Sequence, residues 1–228
     1  VAKTFEQMQA AMADWLGIRD ADTNRLPSSV RQDIINMTQA ELCRMYDFRF
    51  LEADATISIT LGNSSFSLPS DWSRPYAIQY QAGTNAPTFL EQLSVEEFDV
   101  RYPADSTAAS GKPLHYAIWG STIKTGPKSD GNYSAAARYY KKLPDLANGA
   151  PNNTNDFLTN AWDVLLWACL GQGSLYGIED NRLGTFQQRA QQAIDRLSIE
   201  HARNRTAGRR PVSQEPGTIF APTAPTTG

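Results

Sequence analysis

The spacing of apolar positions changes period three times along this chain, and each change predicts a different kind of element. Phe5, Met8, Met12, Trp15 and Leu16 recur at helical spacing behind Thr4, with Gln7 three residues on as a capping-box partner and Gly17 as a stop. This predicts a first helix over residues 4–17. Pro27, suited to a first turn, opens a second helix that runs to about Leu51, with Val30, Ile34, Met37, Leu42, Met45, Phe48 and Phe50 as its apolar positions. Residues 56–61 then alternate with period two, residues 62–65 turn, and residues 66–68 resume, which reads as a β-hairpin ended by Pro69. Strands follow at 76–81 and 88–90. A short helix at 94–102 is capped by Ser94 with Glu97 three residues later. Three more strands fall at 114–119, 122–125 and 133–140, separated by Gly120-Ser121 and by the turn-rich stretch 126–131.

Helical periodicity returns at Asn155-Asp156, either of which is a natural N-cap. Phe157, Ala161, Leu165, Leu166, Cys169 and Leu170 form a stripe broad enough to be buried on more than one side. Leu183, Phe186, Ala190, Ala193, Ile194 and Leu197 continue it more narrowly. An unbroken helix over this span would be on the order of 60 Å long, so Gly171, Gly173, Gly177 and Gly184 are the expected points of kinking or splitting. Beyond Arg205 the pattern dies. Residues 206–228 are rich in Gly, Pro, Thr and Ser, with Ile219-Phe220 as a lone bulky pair, a tail that builds no core by itself. The pattern predicts an α+β fold: a helical stem carrying an inserted antiparallel β-domain, followed by an extended C-terminal tail. Its divisions are N-terminal stem helices at 1–52, a β-rich insertion at 53–143, long helices at 154–205 and an arm at 206–228.

Composition narrows the function classes. With 228 residues, 41% hydrophobic and 20% charged, the chain reads as globular and soluble. The longest apolar run, 161–170, is too short to span a bilayer. Glu6 and Gln7 stand where a signal peptide needs an apolar stretch, and Val1 suits a removed initiator Met, so secretion is not expected. The sequons at Asn36, Asn63 and Asn132 then carry no meaning. Cys43 and Cys169 fall in apolar helical patterns and read as small buried hydrophobes; a disulfide between them is left open. A net charge of −3 and a pI near 5.4 argue against a general nucleic-acid binder. Residues 196–210 are the local exception, with five arginines against Glu200.

Catalytic equipment is sparse. His115 and His201 lie far apart in different elements, so neither a zinc cluster nor a nucleophile–base pair is assembled by the pattern. His115 reads as a sheet-face residue, and His201 as a cation at a helix C-terminal end. The run from Gly171 through Gly173 to Gly177 follows a helix rather than a strand, and small residues admitting a neighbouring helix explain it better than a phosphate loop. Glu96, Glu97 and Asp99 sit on a short amphipathic helix as solvated surface. No catalytic residue, cofactor or metal is expected. The aromatics are the more telling class. Trp72, Trp119, Trp162, Trp167, Tyr133, Tyr139 and Tyr140 lie in or beside the β-unit and its junction with the stem, where they serve either core packing or a subunit interface.

The order of several short motifs resembles the head-to-tail adaptor, or connector, proteins of tailed bacteriophages. Leu68-Pro69-Ser70-Asp71-Trp72 is similar to that family's stretch after a hairpin. Gly111-Lys112-Pro113 leading to Tyr116 is similar to its central strand, and Tyr139-Tyr140 through Leu143-Pro144-Asp145-Leu146 to its strand exit. Thr154-Asn155, the aromatic-Leu-Leu helix and Glu179-Asp180-Asn181-Arg182 complete a resemblance covering roughly residues 27–200. It implies a structural virion protein, made in the bacterial host cytoplasm, that forms a ring, twelvefold in that family. Such a ring sits beneath the portal, extends the DNA channel and presents a docking surface to a tail or nozzle protein. By the same resemblance Arg203, Arg205, Arg209, Arg210, Ile219 and Phe220 occupy the place of a portal-contacting arm. For the arginines, contact with packaged DNA is the alternative. Trp72, Trp119, Tyr139 and Tyr140 are candidates for a subunit or tail interface. The rival readings are another neck, tail-tube or nozzle component, a small cell-wall or nucleic-acid enzyme, and a host regulatory module binding DNA through its basic helix end.

Overall fold

Both capping boxes read from the sequence are formed. Thr4 and Gln7 exchange side-chain-to-backbone bonds at the start of α1 (Phe5–Leu16), and left-handed Gly17 ends that helix. Ser94 and Glu97 do the same at α3 (Val95–Arg101). The computed structural model describes residues 3–18, 26–81, 86–103, 110–175 and 182–206, with backbone alone for 204–206. Among them the fold is mixed α+β, with six α-helices and two four-stranded sheets.

The second helix is shorter than its periodicity suggested. α2 spans Ser28–Met45, Tyr46 is extended, and a 3-10 turn follows at Arg49–Leu51. The aromatics beyond Met45 bury against a different neighbour. Phe48 stacks on Phe50 and meets Phe157 edge-on, at 5.2 and 5.4 Å between centroids. A continued helix would carry these rings away from Phe157. Met37 and Met45, expected on the apolar face, are exposed instead.

The first sheet has the order β1-β8-β3-β4, antiparallel throughout, and the second has the order β2-β7-β6-β5. The strands are β1 (Glu52–Ile59), β2 (Ser65–Ser67), β3 (Trp72–Tyr80), β4 (Thr88–Phe89), β5 (Glu91–Gln92), β6 (His115–Trp119), β7 (Thr122–Gly126) and β8 (Tyr133–Lys141). Two corrections follow. β1 and β2 are not a hairpin: β1 pairs along its length with β8, while β2 pairs with β7 in the other sheet. The turn between them is held by the 129–132 loop, whose Asn132 side chain accepts from Leu61 N–H and whose Ser129 carbonyl accepts from Gly62 N–H. Nor is the β-unit wholly antiparallel, since β5 runs parallel to β6. The β6–β7 hairpin does form, with Gly120 at φ 60° in a two-residue turn whose first position demands positive φ. Pro75 lies inside β3 beside a register shift, where a missing N–H is tolerated.

The broad apolar stripe after Asn155 is split. Asn155 caps α4 (Asp156–Asn160) by accepting from Phe157 and Leu158 N–H, Ala161 breaks the helix, and α5 (Trp162–Leu175) and α6 (Leu183–Thr206) follow and pack against each other. Gly173 lets α1 approach α5: a β-carbon there would lie 2.5 Å from Met12 Cε and 3.1 Å from Leu16 Cδ1. Buried apolar residues form two clusters. One joins the helices around Phe5, Met8, Phe157 and Leu165; the other lies between the sheets around Ile57, Ile78, Ile123 and Tyr116.

Candidate functional site

The junction between the first sheet and the helices gathers three of the four aromatics singled out above. Trp72 opens β3 and Tyr139 lies near the end of β8; their rings stack at 4.7 Å, and both are buried. Tyr139 Oη donates to Asp71 Oδ1 at 2.8 Å, while Asp71 O accepts from Lys142 N–H. Burial first, then the bond to Asp71, pushes the Tyr139 phenol up to about 12. Tyr140 points the other way, into the helical core. Arg74 spreads over its ring at 4.9 Å and donates to the carbonyls of Arg44 and Tyr46 at the end of α2, closing on the Asp47 carboxylate. Those carbonyls belong to a helix terminus that lacks intrahelical donors, so one guanidinium fastens strand to helix and satisfies the terminus. Lys141 pairs with Asp156 at 2.5 Å, tying the end of β8 to the start of α4.

Beyond β8 the chain crosses α2 in an extended path held by amides. Asn36 brackets the Leu146 peptide, accepting from its N–H at 2.8 Å and donating to its carbonyl at 3.1 Å, and Gln32 donates to the same carbonyl. Gln39 donates to Pro144 O and accepts from Asn155. Residues 32, 36 and 39 share one face of α2, which therefore acts as a docking rail. At the other end, Phe5 N–H donates to Asn153 O and Glu6 accepts from Gly149 N–H. Backbone bonds from its own N–H and from Gly149, then the Thr4 hydroxyl, hold the Glu6 carboxyl below its usual range.

A chain whose β-unit is clamped to its helices by side chains such as Arg74 and Lys141, around residues that resemble a known strand exit, has the means to be a scaffold. The family model described as SU10 adaptor protein matches residues 3–214. The chain belongs to the SU10 adaptor protein family. No curated protein matches it. Membership agrees with a phage adaptor, a structural component of the virion, and points to a non-catalytic role.

In this adaptor the remaining candidates are dispersed. Trp119, at the tip of the β6–β7 hairpin, is 51% exposed, with Lys124 Nζ 4.2 Å from its ring centroid. Trp72, Tyr139 and Tyr140 are buried within the subunit, so their packing role is the one on view. Arg203 is exposed near the end of α6. The side chain of Arg205, and Arg209, Arg210, Ile219 and Phe220 entirely, lie outside the described residues.

His115 lies in β6, as its strand pattern suggested, and His201 lies near the end of α6. His201 Nδ1 accepts from Arg49 N–H at 3.3 Å while the ring packs on Phe48 and Phe50. His115 is buried between Tyr102 Oη at 2.7 Å and Glu91 at 3.4 Å. No cluster of three metal-ligating side chains exists among the described residues. Cys43 and Cys169 are free thiols; burial pushes Cys169 up to about 12 and Cys43 up to about 11. Among the described residues, no helix is long and apolar enough to cross a membrane. The amide rail on α2 was missed in the sequence; its signal was the polar spacing 32, 36 and 39 on a helix that otherwise needs those positions for core.

Proposed function

We propose that this chain is a head-to-tail adaptor that assembles as a ring, twelvefold in the families it resembles, joining the portal to the tail and extending the DNA channel. The observation that carries the reading is the SU10 adaptor match across almost the whole chain. The two buried cores support a division into a helical stem and an inserted β-unit at about residues 53–143. The clamp at Arg74 and the rail on α2 would hold that unit in one orientation, which a closed ring of identical subunits requires, because each heterologous contact repeats the same rotation. A weakly acidic body suits a DNA conduit, since each phosphate neutralised by protein adds affinity and would slow passage.

In this reading the exposed Trp119 hairpin meets a neighbouring subunit or the tail-side protein, and the arm beginning at Arg203 meets the portal through Arg203, Arg205, Arg209, Arg210, Ile219 and Phe220. Electron microscopy of the purified protein, alone and mixed with its portal protein, tests it. Rings stacked coaxially on the portal, formed alone or only in the mixture, are the expected result. A protein that stays monomeric and ignores the portal would overturn the reading.

A further inference from the structure

α2 carries a second face opposite in character to its amide rail. Ile34, Met37, Glu41 and Met45 recur there at helical spacing and border a groove closed on its other sides by α5 and α6. Its floor is Leu42, Ala168, Gly171, Ala190 and Ile194, and it continues past Leu175 in two sections of about 280 and 240 Å³. Met37, Met45 and Leu175 on its rim are 72%, 62% and 64% exposed. Scattered apolar side chains are ordinary, but three large ones rimming one concave apolar surface mark a binding groove.

Two features give the occupant its chemistry. The Thr38 hydroxyl is buried beside the Cys169 thiol. Gln172, Gln187 and Gln191 line the walls. Amides flanking an apolar floor suit an extended peptide that brings both apolar side chains and backbone carbonyls. Among the described residues, the one charged side chain lining the groove is Glu41.

We infer that, in the unassembled chain, the groove between α2, α5 and α6 receives the chain's own C-terminal segment, with Ile219 and Phe220 as its anchors. Residues 207–228 contain one bulky apolar pair, and with Arg209 and Arg210 against the single acid Glu215 the segment is net positive, opposite in sign to Glu41. The reach is sufficient. Ile194 in the groove floor lies twelve residues before Thr206, about 18 Å along α6. The thirteen residues from Thr206 to Ile219 extend to about 43 Å, more than enough to double back. Occupancy would withhold the same apolar pair from a partner until that partner displaced it. The inference stands apart from the ring reading, because it concerns the free subunit.

The four methionines provide the test. Met37 and Met45 rim the groove, whereas Met8 and Met12 are fully buried against α5 and report only on the fold. Methyl NMR of the full-length chain, labelled at methionine, is compared with the full-length Ile219→Asp/Phe220→Asp variant. The expected result is that the Met37 and Met45 methyl resonances move, the Met8 and Met12 resonances stay, and the difference survives dilution. Unmoved Met37 and Met45 signals would overturn the inference. A difference that fades on dilution would also overturn it, assigning the groove to the arm of a second copy.

Discussion

Arg74 does three jobs with one side chain: it accepts the aromatic face of Tyr140 beneath it, it supplies donors to the last carbonyls of α2, and it meets the Asp47 carboxylate. Truncation to Ala strips donors from two carbonyls at once, and Arg74→Ala is expected to cost about 1.5–3 kcal/mol, read as a lower denaturant midpoint at unchanged slope. Lys at this position keeps the charge but loses the planar fork, so Arg74→Lys should recover less than half of the loss. Tyr139 predicts a pH dependence. Its phenol is raised from 10 to about 12, so the folded state favours the neutral form. That contribution is complete below pH 10 and is lost as pH rises from 10 through about 12. Tyr133 is raised to about 12 as well, first by its bond to Asp130. Stability measured across this window should therefore fall steeply for the parent chain, less steeply for Tyr139→Phe, and least for the variant lacking both phenols. A parent-like fall in the double variant would locate the alkaline sensitivity elsewhere.

At the scale of elements, α2 is the member that everything else is measured against: one face holds segment 142–155 by amides and another borders the apolar groove. Asn36→Ala removes two of the three side-chain bonds to Leu146, leaving its carbonyl the bond from Gln32. The expected cost is about 2–3 kcal/mol, with faster hydrogen exchange at the Leu146 amide than at neighbouring helix positions. Much of the element plan was legible because it rests on local chemistry. Thr4-Gln7 and Ser94-Glu97 cap wherever they stand before an apolar run, and Gly120-Ser121 turns a hairpin by its own backbone preference. What failed depended on partners distant in sequence. The alternation of residues 56–61 announces a strand but cannot name β8 as its neighbour. Phe48 and Phe50 fit a helical stripe until Phe157 provides a better surface. Of the candidate aromatics, the sequence could not separate the buried Trp72, Tyr139 and Tyr140 from the exposed Trp119, because a strand's two faces are told apart only by what lies above them.

Across the whole molecule, Tyr140, Arg74 and the Lys141–Asp156 pair link the β-unit to the helices. If the proposed ring forms, presenting the same surface from every position depends on that linkage more than on total stability. The two tryptophans of the β-unit separate these requirements. Trp72 is stacked and buried, and Trp72→Ala is expected to cost about 3–5 kcal/mol in the isolated subunit, with assembly lost only as folding is lost. Trp119 leans on Lys124 at an exposed hairpin tip, so Trp119→Ala should leave the unfolding midpoint within about 0.5 kcal/mol of the parent. If the hairpin tip is a contact surface, the same substitution weakens assembly, because exposed aromatics that become buried carry a large share of interface energy. Sedimentation velocity of the two variants beside the parent, at matched folded concentration, measures the difference. Loss of the assembled species in Trp119→Ala with an unchanged midpoint would identify the tip as interface. Parent-like assembly would leave Trp119 a surface side chain, and move the search for subunit contacts to the helices.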